Sequence, residues 1–174
     1  MHPKIRFYLD TGRSNPAVDL KPLQRTLHAE FAWWMANGHH TRDFFCAVDH
    51  AVALLMLAFM VGGESEWLQA AEAIPPAPLP TVNQLRLDMP PEARHRFYTA
   101  TGELNPEVQD QRLRDALEPV FQRWVVSGYH PRDFAQAAGD VAVSTHYDFD
   151  TARSLAGLGG GRTAEEYLTQ PRVL

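Results

Sequence analysis

The chain has one cysteine, Cys46, so no disulfide can form within it and its stability has to come from packing. That usage fits a reducing compartment, and we expect a cytoplasmic protein. Positive charge is also scarce: 16 Lys and Arg stand against 21 Asp and Glu, for a formal net charge of -5. A bulk attraction to nucleic acid or anionic lipid is therefore excluded, and only a local basic face is left open. No apolar signal core follows the charges of Met1 to Arg6, which argues against secretion by that route. The longest apolar run, Ala51 to Val61, is 11 residues, whereas a bilayer takes about 20. It reads as a buried helix, and no membrane partner is expected. The chain also contains no HExxH, no CxxC and no His-Asp dipeptide, the usual sequence signs of a metal centre.

What is present is an internal repeat. Sliding the sequence by 90 lays RFYLDTGRSNPAV at Arg6 onto RFYTATGELNPEV at Arg96, and GHHTRDF at Gly38 onto GYHPRDF at Gly128, without a gap. From Arg6/Arg96 to Leu54/Ser144 there are 18 identical pairs in 49 positions, against roughly one in sixteen for unrelated sequences of average composition. The likeness resumes at Gly62-Gly63 and Glu66-Trp67-Leu68 against Gly160-Gly161 and Glu166-Tyr167-Leu168. The offset there is larger, which predicts about ten extra residues around Thr145 to Ser154 in the second copy. Between the copies, Ile74-Pro75-Pro76-Ala77-Pro78-Leu79-Pro80 reads as a semi-rigid spacer, because proline lacks the amide donor and favours extended geometry. The expected organisation is a first helical module over 1–74, a Pro-rich linker over 75–89 and a second helical module over 90–174.

Each module has the order amphipathic segment, Thr-Gly turn, Asn-Pro, long helix, Gly turn, second helix, Gly-Gly, short helix. In the long helix Leu23, Leu27, Phe31 and Trp34 make one stripe on a 3.6-residue period, and Leu113, Leu117, Phe121 and Trp124 repeat it. Gly38 and Gly128 sit where a left-handed residue closes a helix. The second helices open at His40-Thr41-Arg42-Asp43 and His130-Pro131-Arg132-Asp133, where a first-turn acid suits the helix dipole. Phe44, Ala47, Ala51 and Leu54, answered by Phe134, Ala137 and Val141, form the second stripe. Pro119, standing where the first copy has Ala29, predicts a kink or break. The RFY segments are ambiguous between strand and helix, and Pro90-Pro91-Glu92-Ala93 tips the expectation to helix. The fold class is all-α: a tandem duplication of a small helical-hairpin module, packed as an intrachain pseudo-dimer, because about 65 to 80 residues with one stripe per helix make a marginal core alone.

The polar residues shared by both copies are Arg6/Arg96, Tyr8/Tyr98, Thr11/Thr101, Asn15/Asn105, His40/His130, Arg42/Arg132 and Asp43/Asp133. Their simplest explanation is architectural: Thr and Asn fix turns, Asp caps a helix, and His and Arg bond open carbonyls. The sharpest enzymatic reading is a metal site. His40, Asp43 and His50 are three and seven apart on one helix face, and His130, Asp133 and Asp140 hold the same places in the second copy. Cys46 lies mid-helix among phenylalanines, where a cysteine is usually a small buried apolar group. Gly157-Leu158-Gly159-Gly160-Gly161-Arg162-Thr163 lacks the lysine of a phosphate loop and reads as a joint. Arg42 and Arg132 open equivalent helices after a tight turn, as in paired helix-turn-helix readers, but no Lys/Arg run accompanies them.

These readings favour a non-enzymatic protein-protein interaction or assembly protein, an accessory or structural component of a larger complex. Four tryptophans and nine phenylalanines exceed what a minimal helical core needs, and aromatics are enriched at interface centres. No cofactor is expected, and a protein partner or self-association is. The second reading is a nucleic-acid-associated regulator using Arg42 and Arg132. The third is a metal-dependent hydrolase using His40/Asp43 and His130/Asp133.

Overall fold

The computed structural model describes residues 6–37, 40–62, 97–99, 101–108, 110–128 and 130–155. Those residues form four helices, α1 (Lys21–Ala36), α2 (Thr41–Gly62), α3 (Asp110–Val126) and α4 (Pro131–Leu155), and the protein is all-helical. The Pro-rich linker, the short helices after Gly-Gly, the Gly38 turn and the glycine cluster at 157–161 lie outside the described residues.

The long-helix stripes are buried throughout. Leu23, Leu27, Phe31 and Trp34 of α1 and Leu113, Leu117, Phe121 and Trp124 of α3 are core residues, as are Phe44, Ala47 and Ala51 of α2 and Phe134, Ala137 and Val141 of α4. In α2 the stripe ends on Leu55, not Leu54, because a 3.6-residue period carries the buried face one position on from Ala51 and Val52. The helices do not close as self-contained hairpins. The most extensive packing is α2 on α4, then α2 on α3 and α1 on α4; the α1–α2 and α3–α4 contacts within each half are the smallest. The described helices of both halves therefore build one core.

Three expectations are corrected. The break expected at Pro119 does not occur: α3 runs on through this buried residue, so the surrounding packing holds the helix across a position that lacks one ladder bond. The extra residues expected around 145–154 do not enter before Phe149, within the continuous helix α4. Register at an offset of 90 holds as far as Phe59 and Phe149, which sit 5.9 Å from Phe121 and 4.4 Å from Phe31. And the described RFY residues, Arg6 to Tyr8 and Phe97 with Tyr98, are not helical. Each segment is a short arm that reverses after three residues, its β-type contacts being the isolated bridges Tyr8–Ser14 and Tyr98–Leu104. Gly12 and Gly102 cause the reversal, with φ of +75° and +81°, a left-handed conformation that stops any helix there.

The turns of the two arms share their backbone bonds. Asn15 N–H donates to Phe7 O at 2.7 Å and Asn105 N–H to Phe97 O at 2.8 Å. Asn15 Oδ1 accepts from Ala17 N–H and Asn105 Oδ1 from Glu107 N–H, both at 3.0 Å, which is the local bonding that makes asparagine a turn residue.

α2 is long and apolar enough, by length and composition, to cross a membrane, beyond what its 11-residue uninterrupted run suggests. Its first three turns carry Arg42, Asp43 and Asp49, its inner face packs in the core, and a third of the apolar window is buried.

Candidate functional site

The shared polar residues collect where each arm meets the opposite half of the chain. His40 and His130 precede α2 and α4, and each turns its Nδ1 to accept the backbone N–H of Arg42 or Arg132 at 3.2 Å. This is N-capping, with an imidazole lone pair in the place usually taken by a serine or aspartate oxygen. His40 O and His130 O then accept from Asp43 N–H and Asp133 N–H at 2.9 Å. With the backbone pinned in this way, the two aspartates point off the helix starts into the core, where both are buried.

There they receive the arms. Asp43 Oδ2 accepts the N–H of Phe97 at 2.7 Å, and Asp133 Oδ2 accepts the N–H of Tyr8 at 3.4 Å. Asp133 also takes the Arg6 guanidinium, Nε and Nη2 each at 3.4 Å, and this contact raises the arginine pKa. The aromatic side chains follow. Phe7 lies 5.0 Å from Trp124, and Phe97 lies 5.7 Å from Trp34, each pair joining an arm to the long helix of the other half.

About two turns further along, the two sites differ. Tyr8 donates its hydroxyl to Asp140, whose carboxyl burial pushes above the usual carboxylate range. The corresponding place on α2 holds His50, whose Nδ1 is 3.6 Å from Asp110. Tyr98 instead lies among Asp43, Cys46 and Asp49; burial first, then these groups, push its hydroxyl pKa up. Burial raises Asp49 as well. Cys46 is exposed, contrary to the buried position expected, and burial of its sulfur, Asp43 and Asp49 raise the thiol. A nucleophile requires the reverse shift.

The six candidate metal ligands are thus distributed among capping, arm binding and ion pairing. Among the described residues no group of three or more His, Cys, Asp or Glu is placed to hold a metal ion. Arg42 and Arg132 are exposed at the helix starts, separated from the buried aspartates beside them.

Further polar contacts cross between the halves at residues the sequence reading missed. Glu30, buried on α1, meets Arg112 Nε of α3 at 3.5 Å, and that guanidinium lies 4.2 Å over the Trp33 ring. Desolvation raises the Glu30 pKa against the lowering effect of Arg112. His28 Nε2 is 3.2 Å from Asp148 Oδ2. Neither His28 Nε2 nor His50 Nδ1 makes an aligned hydrogen bond, so both contacts count as charge proximity only. A signal for Glu30 existed: it stands seven residues after Leu23 on the buried stripe, at the position where the second copy has Val120. No protein-family model, no curated protein and no solved structure matches the chain.

Proposed function

We propose that this is a non-enzymatic interaction or assembly protein, an accessory component of a larger complex, whose scaffold is a tandem duplication packed as an intrachain pseudo-dimer. The shared arm contacts support the scaffold reading: each arm seats on the other half, as the arms of an ancestral homodimer would. Fusion of such a dimer would leave two halves free to diverge.

The outer end of α2 is the observation that carries the interaction reading. Leu57, Met60 and Val61 are 58%, 78% and 81% exposed. At the corresponding places α4 has Tyr147, Asp150 and Thr151, and Ala58 is answered by Asp148. The same fold position tolerates polar residues in one half, so packing does not require apolar ones in the other, and an exposed apolar group is a candidate contact surface. Of the repeated polar residues, by contrast, Asp43 and Asp133 are consumed in holding the arms, and His40 and His130 in capping the helices that carry them.

The test is affinity purification of the wild type and of Leu57→Glu/Met60→Glu from cells of its source. A stoichiometric protein recovered with the wild type and lost with the variant is expected. A wild type that recovers no such protein, stays monomeric at all concentrations and carries one transition metal per module, removed by His40→Ala or His130→Ala, would overturn the reading in favour of the hydrolase.

A further inference from the structure

We infer that the two halves are electrostatically keyed to each other: the surface of the first half takes the second half as its partner and rejects a copy of itself, and the second half does the same. The inference rests on the pseudo-dimer reading, which makes residues 90 apart equivalent.

Two classes of contact join the halves. Both arms donate a backbone N–H to an aspartate of the opposite half, Phe97 to Asp43 and Tyr8 to Asp133, and that contact does not choose the partner. The side-chain pairs choose. Glu30 meets Arg112 at 3.5 Å, His28 meets Asp148 at 3.2 Å and His50 meets Asp110 at 3.6 Å, and all three run from a first-half residue to a second-half residue. None of the six residues keeps its charge type at its equivalent position: Glu30 is answered by Val120, Arg112 by Pro22, His28 by Glu118, Asp148 by Ala58, His50 by Asp140 and Asp110 by Leu20.

The like pairings follow by substitution. Two second halves would set Asp110 against Asp140 and Asp148 against Glu118, and the symmetry would repeat each acid pair. Two first halves would leave Glu30, whose side chain is 8% exposed, facing Pro22, with His28 facing Ala58 and His50 facing Leu20. A nearly buried carboxylate without its cation is strongly unfavourable, and apposed acids repel at any charge state of the histidines. Each heterotypic pair has one partner that is 36% to 53% exposed, and the pairs contribute little directly. Discrimination comes from what the wrong partner would leave unpaired.

The experiment uses the full chain with a protease site placed within residues 75–89, folded, cut, then denatured and refolded as a mixture and read by native mass spectrometry. One first half with one second half is expected to exceed either like pair by about tenfold or more. In the Glu118→His/Asp140→His variant, which turns both acid pairs into histidine–acid pairs, the second-half homodimer is expected to appear. Like and unlike pairs in statistical proportion would overturn the keying and leave the pseudo-dimer standing, whereas halves that separate as folded monomers would overturn the pseudo-dimer itself. If the cut halves fail to refold, the uncut chain decides. His28→Glu, which sets an acid against Asp148, is expected to lower the urea midpoint, and adding Asp148→His to restore it; no loss, or no rescue, would overturn the inference.

Discussion

Replacing Asp43 separates two jobs that its carboxylate performs at once. The residue lies in the first turn of α2, where a negative charge interacts favourably with the helix dipole, and its Oδ2 accepts the buried Phe97 N–H at 2.7 Å. Asn keeps an acceptor oxygen at nearly the same place but loses the charge, so Asp43→Asn should cost about 0.3 to 1 kcal/mol. Ala loses the acceptor too. The Phe97 N–H is then buried with no partner, which adds about 1 to 3 kcal/mol for a stranded donor. Asp43→Ala should therefore exceed Asp43→Asn by at least about 1 kcal/mol, taking the low end of that penalty. Equilibrium urea unfolding followed by circular dichroism measures both, and equal slopes across the transition would show that the denatured states are comparable. Two variants of equal stability would refute the claim that Asp43 holds the arm. The dipole interaction alone would then account for its place at the helix start.

Trp34→Ala and Trp124→Ala should each lower stability by about 3 to 5 kcal/mol, since both indoles are buried and each carries a phenylalanine of the opposite arm; a loss below about 1 kcal/mol in chemical denaturation would contradict that burial. Glu30→Gln should gain stability relative to the wild type as pH rises. Desolvation raises the Glu30 pKa in the folded state, so the folded chain binds more protons than the unfolded one, and the wild type loses stability as pH climbs through the folded value. The difference between the two proteins, measured by urea midpoints across that range, should widen upward, and a flat or inverted difference would contradict it. Pro119→Ala should stabilise the protein or leave it unchanged, because alanine restores the helix bond and carries roughly 3 kcal/mol better helix propensity, offset by lost packing of the buried ring. A markedly lower melting temperature would mean that the ring's packing outweighs the backbone gain.

How much was legible depended on whether a residue's role is local. The stripes on α1 and α3 were readable because a 3.6-residue period is a property of one helix. The helix starts at His40 and His130 were readable because capping spans only a few residues. The RFY arms were not, since their conformation is set by left-handed Gly12 and Gly102 acting together with docking onto a helix more than a hundred positions away in the case of Tyr8 and Asp133. Helical spacing put His40, Asp43 and His50 on one face and could go no further. The cap at His40 is local, but which residue turns inward to an arm and which reaches Asp110 is decided by the other half of the chain. Glu30 was the costliest omission. An acid on an apolar stripe is anomalous only once Val120 is laid beside it, and its partner Arg112 lies on a helix that no local pattern connects to α1.

The two aspartates also explain why these polar residues, and not others, are shared by both halves. An arm that binds through its own backbone N–H presents a donor whatever side chains it carries, so a first-turn aspartate on the opposite half serves both arms, although the amide it takes is that of Phe97 in one and of Tyr8 in the other. Histidine at the cap fixes the start, aspartate three residues on fixes the depth, and the glycine turn delivers the amide. A change in any one of the three leaves the others without a purpose, and the group is retained as a unit. A side-chain ion pair such as His50–Asp110 is under no such constraint, because each partner can be exchanged for a residue that fits its own neighbour. Divergence should therefore concentrate there, and Leu20 and Asp140 at the equivalent places are what that argument requires.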